Sequence, residues 1–386
     1  MKNERSLIEK ILLWPFSLLY GLVVGLRNCL FNWGVLPSES FDVSVVSVGN
    51  ITVGGTGKTP ISEYLIRVLK GNYKVGLLSR GYKRKSKGYK LLTTHSLPSE
   101  VGDEPYQIKR KFPEIMVAVD ADRRRGIRNM LSEQTGKPDI IVLDDAYQHR
   151  YVRPTVSILL IDYNRMITED HLLPMGQLRE PVSSKNRANM IVITKCPVDL
   201  KPIEFRLIRK NLKLYAYQSL FFTTLTYGDF QPLFPRRVNC PLTQKNVKNF
   251  SALVVTGIAS PYTFEVYLKN YVKEMVSLNY SDHHNFSESD LKRIEKEFEK
   301  IENKQKIILT TEKDAVRLMN DSHFPKSLMK YIYYVPLYVK FLREEGADFD
   351  EKLFEHLELN KNFCNLVFSV SLSRDTSAES RSNFLF

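Results

Sequence analysis

A glycine-rich segment directly after a buried strand is the feature that most constrains this chain. Residues 42–48 (DVSVVSV) form a β-branched apolar run that leads into GNITVGGTGKTP at 49–60. Within it, TVGGTGKT matches the phosphate-loop pattern GxxxxGK[ST], except that Thr52 stands where the first glycine usually lies. A strand, a glycine-rich turn and a helix in this order predict a phosphate-binding loop. A chance glycine-rich turn is the alternative, and the placement of GKT after a buried strand disfavours it.

The residue types of this loop suit a nucleoside triphosphate with Mg²⁺. Its glycines let backbone N–H groups face inward onto phosphate oxygens, and the helix that begins near Thr59 directs its positive end to the same place. Lys58 can reach the β and γ phosphates, and the Thr59 hydroxyl can ligate Mg²⁺. The predicted nucleotide-binding residues here are Thr52, Val53, Gly54, Gly55, Thr56, Gly57, Lys58 and Thr59.

Short apolar runs alternate with helical patterns along most of the chain, which is typical of an α/β fold. The first set reads as a parallel sheet buried on both faces, a phosphate-loop NTPase-like domain, and a second, smaller α/β domain follows. A length of 386 residues is sufficient for both. The predicted segments are 1–36, an N-terminal membrane-associated helix; 37–213, the phosphate-loop domain; 214–250, an extended linker; 251–345, the second α/β domain; and 346–386, a C-terminal tail.

The N-terminal segment indicates a membrane. Residues 11–26 (ILLWPFSLLYGLVVGL) carry no charge, and basic residues flank them on both sides. This run is shorter than the roughly 20 residues that a spanning helix needs. Trp14 and Trp33 are aromatic anchors of the kind found at headgroup depth. We favour a helix that lies in one leaflet of an anionic membrane; a helix packed on the soluble body, or a span or signal, are the alternatives.

An acidic pair follows the predicted strand at 139–144. Asp144 and Asp145 stand at its carboxyl end, where α/β folds bind their ligands. Beside a phosphate loop, one carboxylate is placed to ligate Mg²⁺ or its water, and the other to contact substrate or an arginine. A solvated turn is the alternative interpretation.

The segment MIVITKCPVD (190–199) resembles a guanine-reading NKxD loop in position only, because Asp199 lies four residues after Lys195. GTP specificity is therefore disfavoured. Two roles stay open for Thr194 and Lys195: packing, or a contact with the nucleotide base that is less specific than that of NKxD.

Further polar motifs stand where strands should end, and phosphoryl transfer needs such a set: a base, cations for the phosphates and carboxylates for Mg²⁺. They are SRGYKRKSKGY (79–89), VGDEPYQ (101–107), DADRRRG (120–126), LLPMGQLREP (172–181) and YSDHHNF (280–286). The side chains expected to gather at one end of the sheet are Arg80, Asp103, Arg123, Arg179, Glu180 and His283.

These motifs occur in an order that resembles the tetraacyldisaccharide 4′-kinases, over about residues 5–340. The order is GNITVGGTGKTP, SRGY, VGDEP, DD-x-Y/F-QH, LPxGxLRE, TGIA-x-P, DHH-x-F and TTEKDAVR. The resemblance implies a kinase that uses ATP and Mg²⁺ to phosphorylate the 4′-hydroxyl of a lipid A disaccharide 1-phosphate. It also implies a peripheral or monotopic position at the cytoplasmic face of the inner membrane.

The resemblance also implies roles for residues that match the motifs. Asp103 resembles the carboxylate that accepts the hydroxyl proton, His283 resembles its partner, and Lys58 completes the catalytic set. The implied metal-site residues are Thr59, Asp144, Asp145 and Glu180. The residues implied to line the site or contact nucleotide or substrate phosphate are Arg80, Tyr82, Arg123, Gln148, His149 and Arg179.

The net charge of +13 indicates anionic partners, which here are the membrane surface, the triphosphate and the lipid phosphate. A membrane-bound NTPase switch is a second hypothesis, disfavoured because NKxD is missing. A nucleic-acid-binding protein is a third, and no nucleic-acid-binding motif supports it. No obligate protein partner is evident. The four cysteines lie far apart without a CxxC pair, which disfavours a disulfide framework or structural zinc.

Overall fold

The computed structural model describes residues 6–133, 136–238, 242–243, 246–282 and 284–359. The chain forms two compact units. The first contains Met1–Arg80, Ala121–Thr224 and Lys340–Phe386, and the second contains Gly81–Asp120 and Leu225–Val339. His283 and the residues of the predicted tail beyond 359 lie outside the described residues.

The described helices and strands alternate as the sequence predicts. The helices are α1 Leu7–Asn32, α2 Lys58–Leu69, α3 Pro98–Val101, α4 Asp103–Lys111, α5 Arg123–Ser132, α6 Pro202–Leu212, α7 Tyr262–Lys269, α8 Glu288–Glu299, α9 Glu312–Met319 and α10 at 346–359. The strands are β1 Ser44–Gly49, β2 Val75–Ser79, β3 Lys90–Leu91, β4 Met116–Val119, β5 Ile140–Leu143, β6 Val156–Asp162, β7 Met190–Thr194, β8 Ser219–Tyr227, β9 Gln231–Pro232, β10 Ser251–Thr256, β11 Glu274–Asn279, β12 Lys306–Thr311, β13 Ile332–Val335 and β14 Leu337–Phe341.

The first unit is built on parallel strands in the order β8-β7-β6-β1-β5-β2. These strands consist almost entirely of buried apolar residues, because helices that return the chain between parallel strands cover both faces of such a sheet. β1 lies between β5 and β6, so its carboxyl end is central. This topology brings the loop after β1 beside the loop after β5.

The second unit has a sheet of its own, in the order β11-β10-β12-β13-β9. Its inner strands pair in parallel, and only the short β9 is antiparallel to β13. α8 contributes Leu291, Ile294 and Phe298 to the buried cluster on this sheet, at the spacing that an amphipathic helix requires.

The compact units differ from the predicted domains in three places. Gly81–Asp120 groups with the second unit, and helices α4 and α9 pack together there. Part of the predicted linker is strand β8, paired in parallel with β7. The start of the predicted tail is α10, whose Phe349 and Leu353 are fully buried. The sequence of 214–250 does not predict β8, because one strand among loops rich in Pro and Asn shows little periodicity.

Helix α1 places its polar side on the protein and its apolar side outward. The Ser17 hydroxyl donates to the carbonyl of Leu172 at 2.8 Å, and Tyr20 donates to the carbonyl of Arg179 at 2.9 Å. Arg27 donates to the carbonyl of Gln148 at 3.1 Å. The exposed apolar residues of this helix are Ile8, Ile11, Leu12, Trp14, Phe16, Leu18, Leu19, Leu22, Val23 and Leu26. Among the described residues, Ile8–Asn32 is the helix long and apolar enough to cross a membrane, and its most apolar window is only 6% buried.

Gly49, the last residue of β1, offers a test of the close contact between β1 and the loop after β5. A Cβ added to Gly49 would lie 2.7 Å from Tyr147 Cβ and 2.8 Å from the Tyr147 backbone nitrogen. We expect Gly49→Ala to lower the free energy of unfolding by about 1–3 kcal/mol, because the backbone after β5 must move. Urea unfolding in detergent measures this. Gly71→Ala is the control, since nothing lies within 4 Å of its added Cβ, and an equal loss in both variants would contradict the prediction.

Candidate active site

The phosphate loop joins β1 to α2 with the backbone geometry that its glycines allow. Gly54 and Gly57 have φ of 108° and 80°, a region that residues with a side chain rarely adopt. α2 begins at Lys58, directly after Gly57, so its first N–H groups point into the loop. Val53, within the loop, is exposed. The predicted sequence of strand, turn and helix is therefore present.

A backbone ladder ties this loop to the segment that carries Arg179 and Glu180. The Val53 N–H donates to the carbonyl of Gln177 at 2.8 Å, and the Arg179 N–H donates to the carbonyl of Ile51 at 2.7 Å. Thr52 forms an antiparallel bridge with Leu178 between these bonds. This bridge accounts for the departure from glycine at position 52, because a buried, strand-like residue tolerates a β-branched side chain.

Side chains within the phosphate-loop segment and in neighbouring segments form hydrogen bonds that stabilise the phosphate loop. The amide of buried Asn50 donates to the Thr56 hydroxyl at 2.8 Å, and the Gln148 amide donates to the Asn50 carbonyl at 2.6 Å. The Thr194 hydroxyl donates to the Thr56 carbonyl at 2.9 Å, and Lys195 donates to the carbonyl of Gly55. Thr194 and Lys195 therefore support the loop backbone, which favours the packing alternative for them.

The acidic pair after β5 divides into one accessible and one buried carboxylate. Asp145 has φ of 48°, and its Oδ1 lies 3.5 Å from Lys58 Nζ and 3.8 Å from Arg179 Nη1. Asp144 is buried, and its carboxylate accepts hydrogen bonds from Ser62 at 3.2 Å and Ser79 at 3.4 Å. Burial raises the pKa of the Asp144 carboxyl, and the charge of Asp145 adds to the rise. The two carboxylates therefore have different partners, cations for Asp145 and hydroxyls for Asp144.

Two arginines lie among the acidic side chains of this region, Arg123 buried and Arg187 partly exposed. Arg123, in the first turn of α5, donates to the carbonyl of Asp144 at 3.0 Å. Arg187, which the sequence interpretation missed, donates to Glu180 and lies over the Tyr147 ring at 4.7 Å from its centroid. The Glu180 side chain is 2% exposed, so its charge needs this partner. The LPxGxLRE motif, which contains Glu180, does not predict Arg187 as its partner, because no fixed spacing relates two residues on either side of a turn.

Gln148 and His149 follow the acidic pair on the same loop. Burial, and to a lesser degree the charge of Arg123, lowers the pKa of His149 to about 4. His149 is therefore neutral at physiological pH, and its ring stacks edge-on against Tyr151 at 5.7 Å. Its Nε2 is buried without a hydrogen-bond partner among the described residues.

The predicted site residues fall into both units. Thr52–Thr59, Arg80, Arg123, Asp144, Asp145, Gln148, His149, Arg179 and Glu180 lie in the first unit. Tyr82 and Asp103 lie in the second, together with the described residues that flank position 283. Of these, Lys58, Asp145 and Arg179 are in direct electrostatic contact.

Asp103, the first residue of α4, forms an ion pair that the sequence interpretation missed. Arg317 of the TTEKDAVR motif donates to Asp103 Oδ2 through Nη2 at 2.7 Å and Nε at 3.0 Å. The TTEKDAVR motif could have indicated this partner, because it places the basic residue Arg317 in a helix that begins directly after a strand.

A family described as tetraacyldisaccharide-1-P 4′-kinase matches residues 9–358. The chain belongs to this family. It is 46% identical over 359 residues to the tetraacyldisaccharide 4′-kinase of Parabacteroides distasonis, covering 93% of this chain and 97% of that protein. It is 44% identical to the corresponding enzyme of Flavobacterium johnsoniae, covering 92% and 99%.

A solved structure shares the fold. LpxK from Aquifex aeolicus, crystallised in complex with ATP, is 29% identical with a TM-score of 0.69, covering 90% of this chain and 99% of that chain. Family membership confirms the predicted fold class and the predicted activity. That activity is the phosphorylation of tetraacyldisaccharide 1-phosphate at the 4′ position in lipid A biosynthesis.

The neutral state of His149 has a measurable consequence. Its pKa of about 4 lies below the roughly 6.5 of an unfolded histidine, so the unfolded chain binds more protons between these values. The contribution to stability is complete above pH 6.5 and is lost as the pH falls toward 4. Relative to His149→Gln, we expect the parent to lose about 1–2 kcal/mol of unfolding free energy over this window, after allowance for partial exposure.

Urea unfolding of both proteins at pH 7, 6, 5 and 4.5 tests this difference. Parallel stability curves for the parent and His149→Gln would contradict it. His149→Asn, which is also neutral at every pH used, should follow the Gln variant.

Proposed function

We propose that this chain transfers the γ-phosphate of MgATP to the 4′-hydroxyl of tetraacyldisaccharide 1-phosphate, at the cytoplasmic face of a membrane. The observation that carries the proposal is the contact of the phosphate-loop Lys58 with Asp145, which also faces Arg179. One carboxylate between two cations beside a row of inward N–H groups suits a bound triphosphate. Family membership supplies the acceptor.

Nucleotide binding falls to the first unit. The N–H groups of the loop and of the first turn of α2 bind phosphate oxygens, and Lys58 spans the β and γ phosphates. Arg179, bonded through its backbone to Ile51, adds a second cation on the γ side. Arg123 keeps the Asp144 loop in place rather than contacting phosphate, because its guanidinium is buried against the Asp144 carbonyl. Positive charge fixed in this way stabilises the phosphoryl group as its bond breaks.

The carboxylates fit a Mg²⁺ ion that is held jointly by protein and phosphates. Asp145 Oδ1 and Glu180 Oε1 are buried oxygens that accept no hydrogen bond from the described residues. Beside phosphates, Mg²⁺ typically takes one or two carboxylates from the protein. Asp145, Glu180 and the Thr59 hydroxyl would hold the ion, and Asp144 would orient its neighbour. The bound ion neutralises charge on the β and γ phosphates.

Proton removal from the acceptor falls to Asp103. Asp103 is the first residue of α4 and offers a carboxylate that can take up a proton, and the 4′-hydroxyl must lose its proton as it attacks phosphorus. His283 is the proposed partner of Asp103, on the basis of the DHH motif. In the balanced step, the acceptor oxygen bonds to the γ-phosphorus, the bond to the bridging oxygen of ADP breaks, and the proton passes to Asp103.

Membrane attachment falls to α1. Its apolar residues face outward while Ser17 and Tyr20 hydrogen-bond to the segment that carries Arg179. This orientation is the reverse of an amphipathic helix packed on a soluble body, and a lipid surface is the environment that it fits. We infer that, with α1 in the membrane interface, the acyl chains of the substrate lie near the phosphate loop. The cytoplasmic face is proposed because ATP is available there.

The phosphotransfer itself is the first test. Purified chain, MgATP and tetraacyldisaccharide 1-phosphate in mixed micelles should yield the 1,4′-bisphosphate. Asp103→Asn should lower kcat by about 10²–10⁴-fold, the usual contribution of a general base, with little change in ATP affinity. Asp199→Asn, which alters an exposed carboxylate of the first unit, is the control. Hydrolysis of ATP without any lipid product would support the NTPase switch instead.

Membrane binding is tested on the exposed face of α1. Leu19→Glu with Leu22→Glu should weaken binding to phosphatidylglycerol-containing liposomes at least tenfold, because two leucines that each gain about 1.5–3 kcal/mol on burial become charged. Sedimentation with liposomes measures this. Val198→Glu with Ile203→Glu, at exposed apolar positions outside α1, is the matched control. Equal binding by both double variants would make α1 a packing element.

A further inference from the structure

Arg317 is held in a network that ends on Asp103. Its side chain is only 6% exposed, whereas that of Asp103 is 28% exposed. Both of the bonds described above fall on the same oxygen, Oδ2. Two donors from one planar guanidinium therefore fix the position of this oxygen.

The other edge of Arg317 is anchored to a fully buried acid. Arg317 Nη1 donates to Asp314 Oδ1 at 3.2 Å. Asp314 Oδ2 accepts from the Thr311 hydroxyl at 2.7 Å and from the Gly257 N–H at 2.9 Å. Gly257 belongs to the TGIA motif, and Thr311 and Asp314 belong to TTEKDAVR. The two motifs therefore meet on one buried carboxylate, which aims the arginine.

Arg317 also contacts the loop of the DHH motif. Its Nη1 lies 3.5 Å from the carbonyl oxygen of His284, to which it donates. The same loop approaches Gly257, where an added Cβ would lie 3.3 Å from His284 Cβ and 3.1 Å from Asp314 Oδ1. One guanidinium thus contacts the acid of the GDEP motif and the backbone of the DHH loop within the second unit.

A purely structural role is the competing explanation, and the chain provides a comparison for it. α4 and α9 are also joined by Lys111 and Glu312 at 2.7 Å, and by Tyr106 and Asn320 at 3.1 Å. The Lys111–Glu312 pair joins partly buried residues of the same charge types, but it lies two turns along α4 from Asp103. If Arg317 only joins the helices, loss of either ion pair should have the same effect.

We propose that Arg317, aimed by Asp314, is a positioning residue that holds the Asp103 carboxylate in the orientation in which it accepts the proton of the attacking hydroxyl. This inference rests on the proposed function of Asp103. The proton still passes to Asp103, and Arg317 exchanges no proton. Its effect is on geometry, since a displacement of about 1 Å of a reacting group costs on the order of 10²-fold in rate.

The test is a double-mutant cycle on Asp103 and Arg317, with the lipid phosphorylation assay. Arg317→Lys should lower kcat about 10–100-fold with an unchanged KM for ATP, because an ammonium cannot make the two-pronged contact. Asp103→Asn with Arg317→Lys should be no slower than Asp103→Asn alone, since the arginine acts only through that carboxylate. Lys111→Met should lower thermal stability and leave kcat within twofold of the parent.

Different outcomes separate the possible failures. A parent chain that makes no lipid product overturns the proposed function, and a fully active Asp103→Asn overturns the role of Asp103. If Asp103→Asn is impaired while Arg317→Lys keeps the parent kcat, the positioning role alone is wrong. It is equally wrong if the losses in the double variant multiply, or if Lys111→Met lowers kcat as Arg317→Lys does.

Asp314→Asn provides a second measurement, in which both members of the Asp103–Arg317 ion pair are kept. It removes a buried charge that Arg317 faces, and the amide can still accept hydrogen bonds from Thr311 or Gly257. We expect a smaller loss of kcat than for Arg317→Lys, and the loss should again vanish on the Asp103→Asn background. A loss that persists on that background would contradict the chain of contacts proposed here.

Discussion

Two backbone hydrogen bonds between residues 51–53 and 177–179 organise the first unit. They join the phosphate loop to the LPxGxLRE segment as a short antiparallel ladder. The ladder sets Arg179 opposite Asp145, and it fixes Glu180 within reach of Arg187. Backbone bonds depend little on side-chain identity, so they fix a charged site more rigidly than ion pairs at the surface could.

The same segment carries the contacts of α1. Ser17 bonds to Leu172 and Tyr20 to Arg179, while Gly21 allows Leu172 to approach. One stretch of chain therefore connects the phosphate loop, the candidate metal carboxylates and the proposed membrane helix. This arrangement gives a physical reason for polar residues on one side of an otherwise apolar helix: their hydroxyls satisfy backbone carbonyls of the segment that carries Arg179.

Buried charge is placed in pairs in both units. In the first, Glu180 faces Arg187, and in the second, Asp314 faces Arg317. A buried carboxylate without a partner would take up a proton and move, so each arginine preserves both a charge and a direction. The partly exposed acid of each region, Asp145 or Asp103, is paired with a cation.

Much of the fold followed from local pattern. The strands β1, β5, β6 and β7 were predictable as continuous apolar runs, and α2 from the glycine-rich turn before it. β8 and α10 were not, because one lies among loop-rich sequence and the other begins a segment without clear motifs. The grouping of Gly81–Asp120 with the second unit was also hidden, since sequence order says nothing about which later helix α4 meets.

The candidate site divides in the same way. Sequence alone predicted the chemistry, because GKT and the acidic pair are residue types at fixed spacing, and because the order of the further motifs, GDEP among them, resembles one kinase family. Only the tertiary structure decided the partners: Arg187 for Glu180, Arg317 for Asp103, and the Gln177–Arg179 backbone for the phosphate loop. These pairs join residues far apart in the chain or across turns. Their distances depend on how strands and helices pack, which no local pattern encodes.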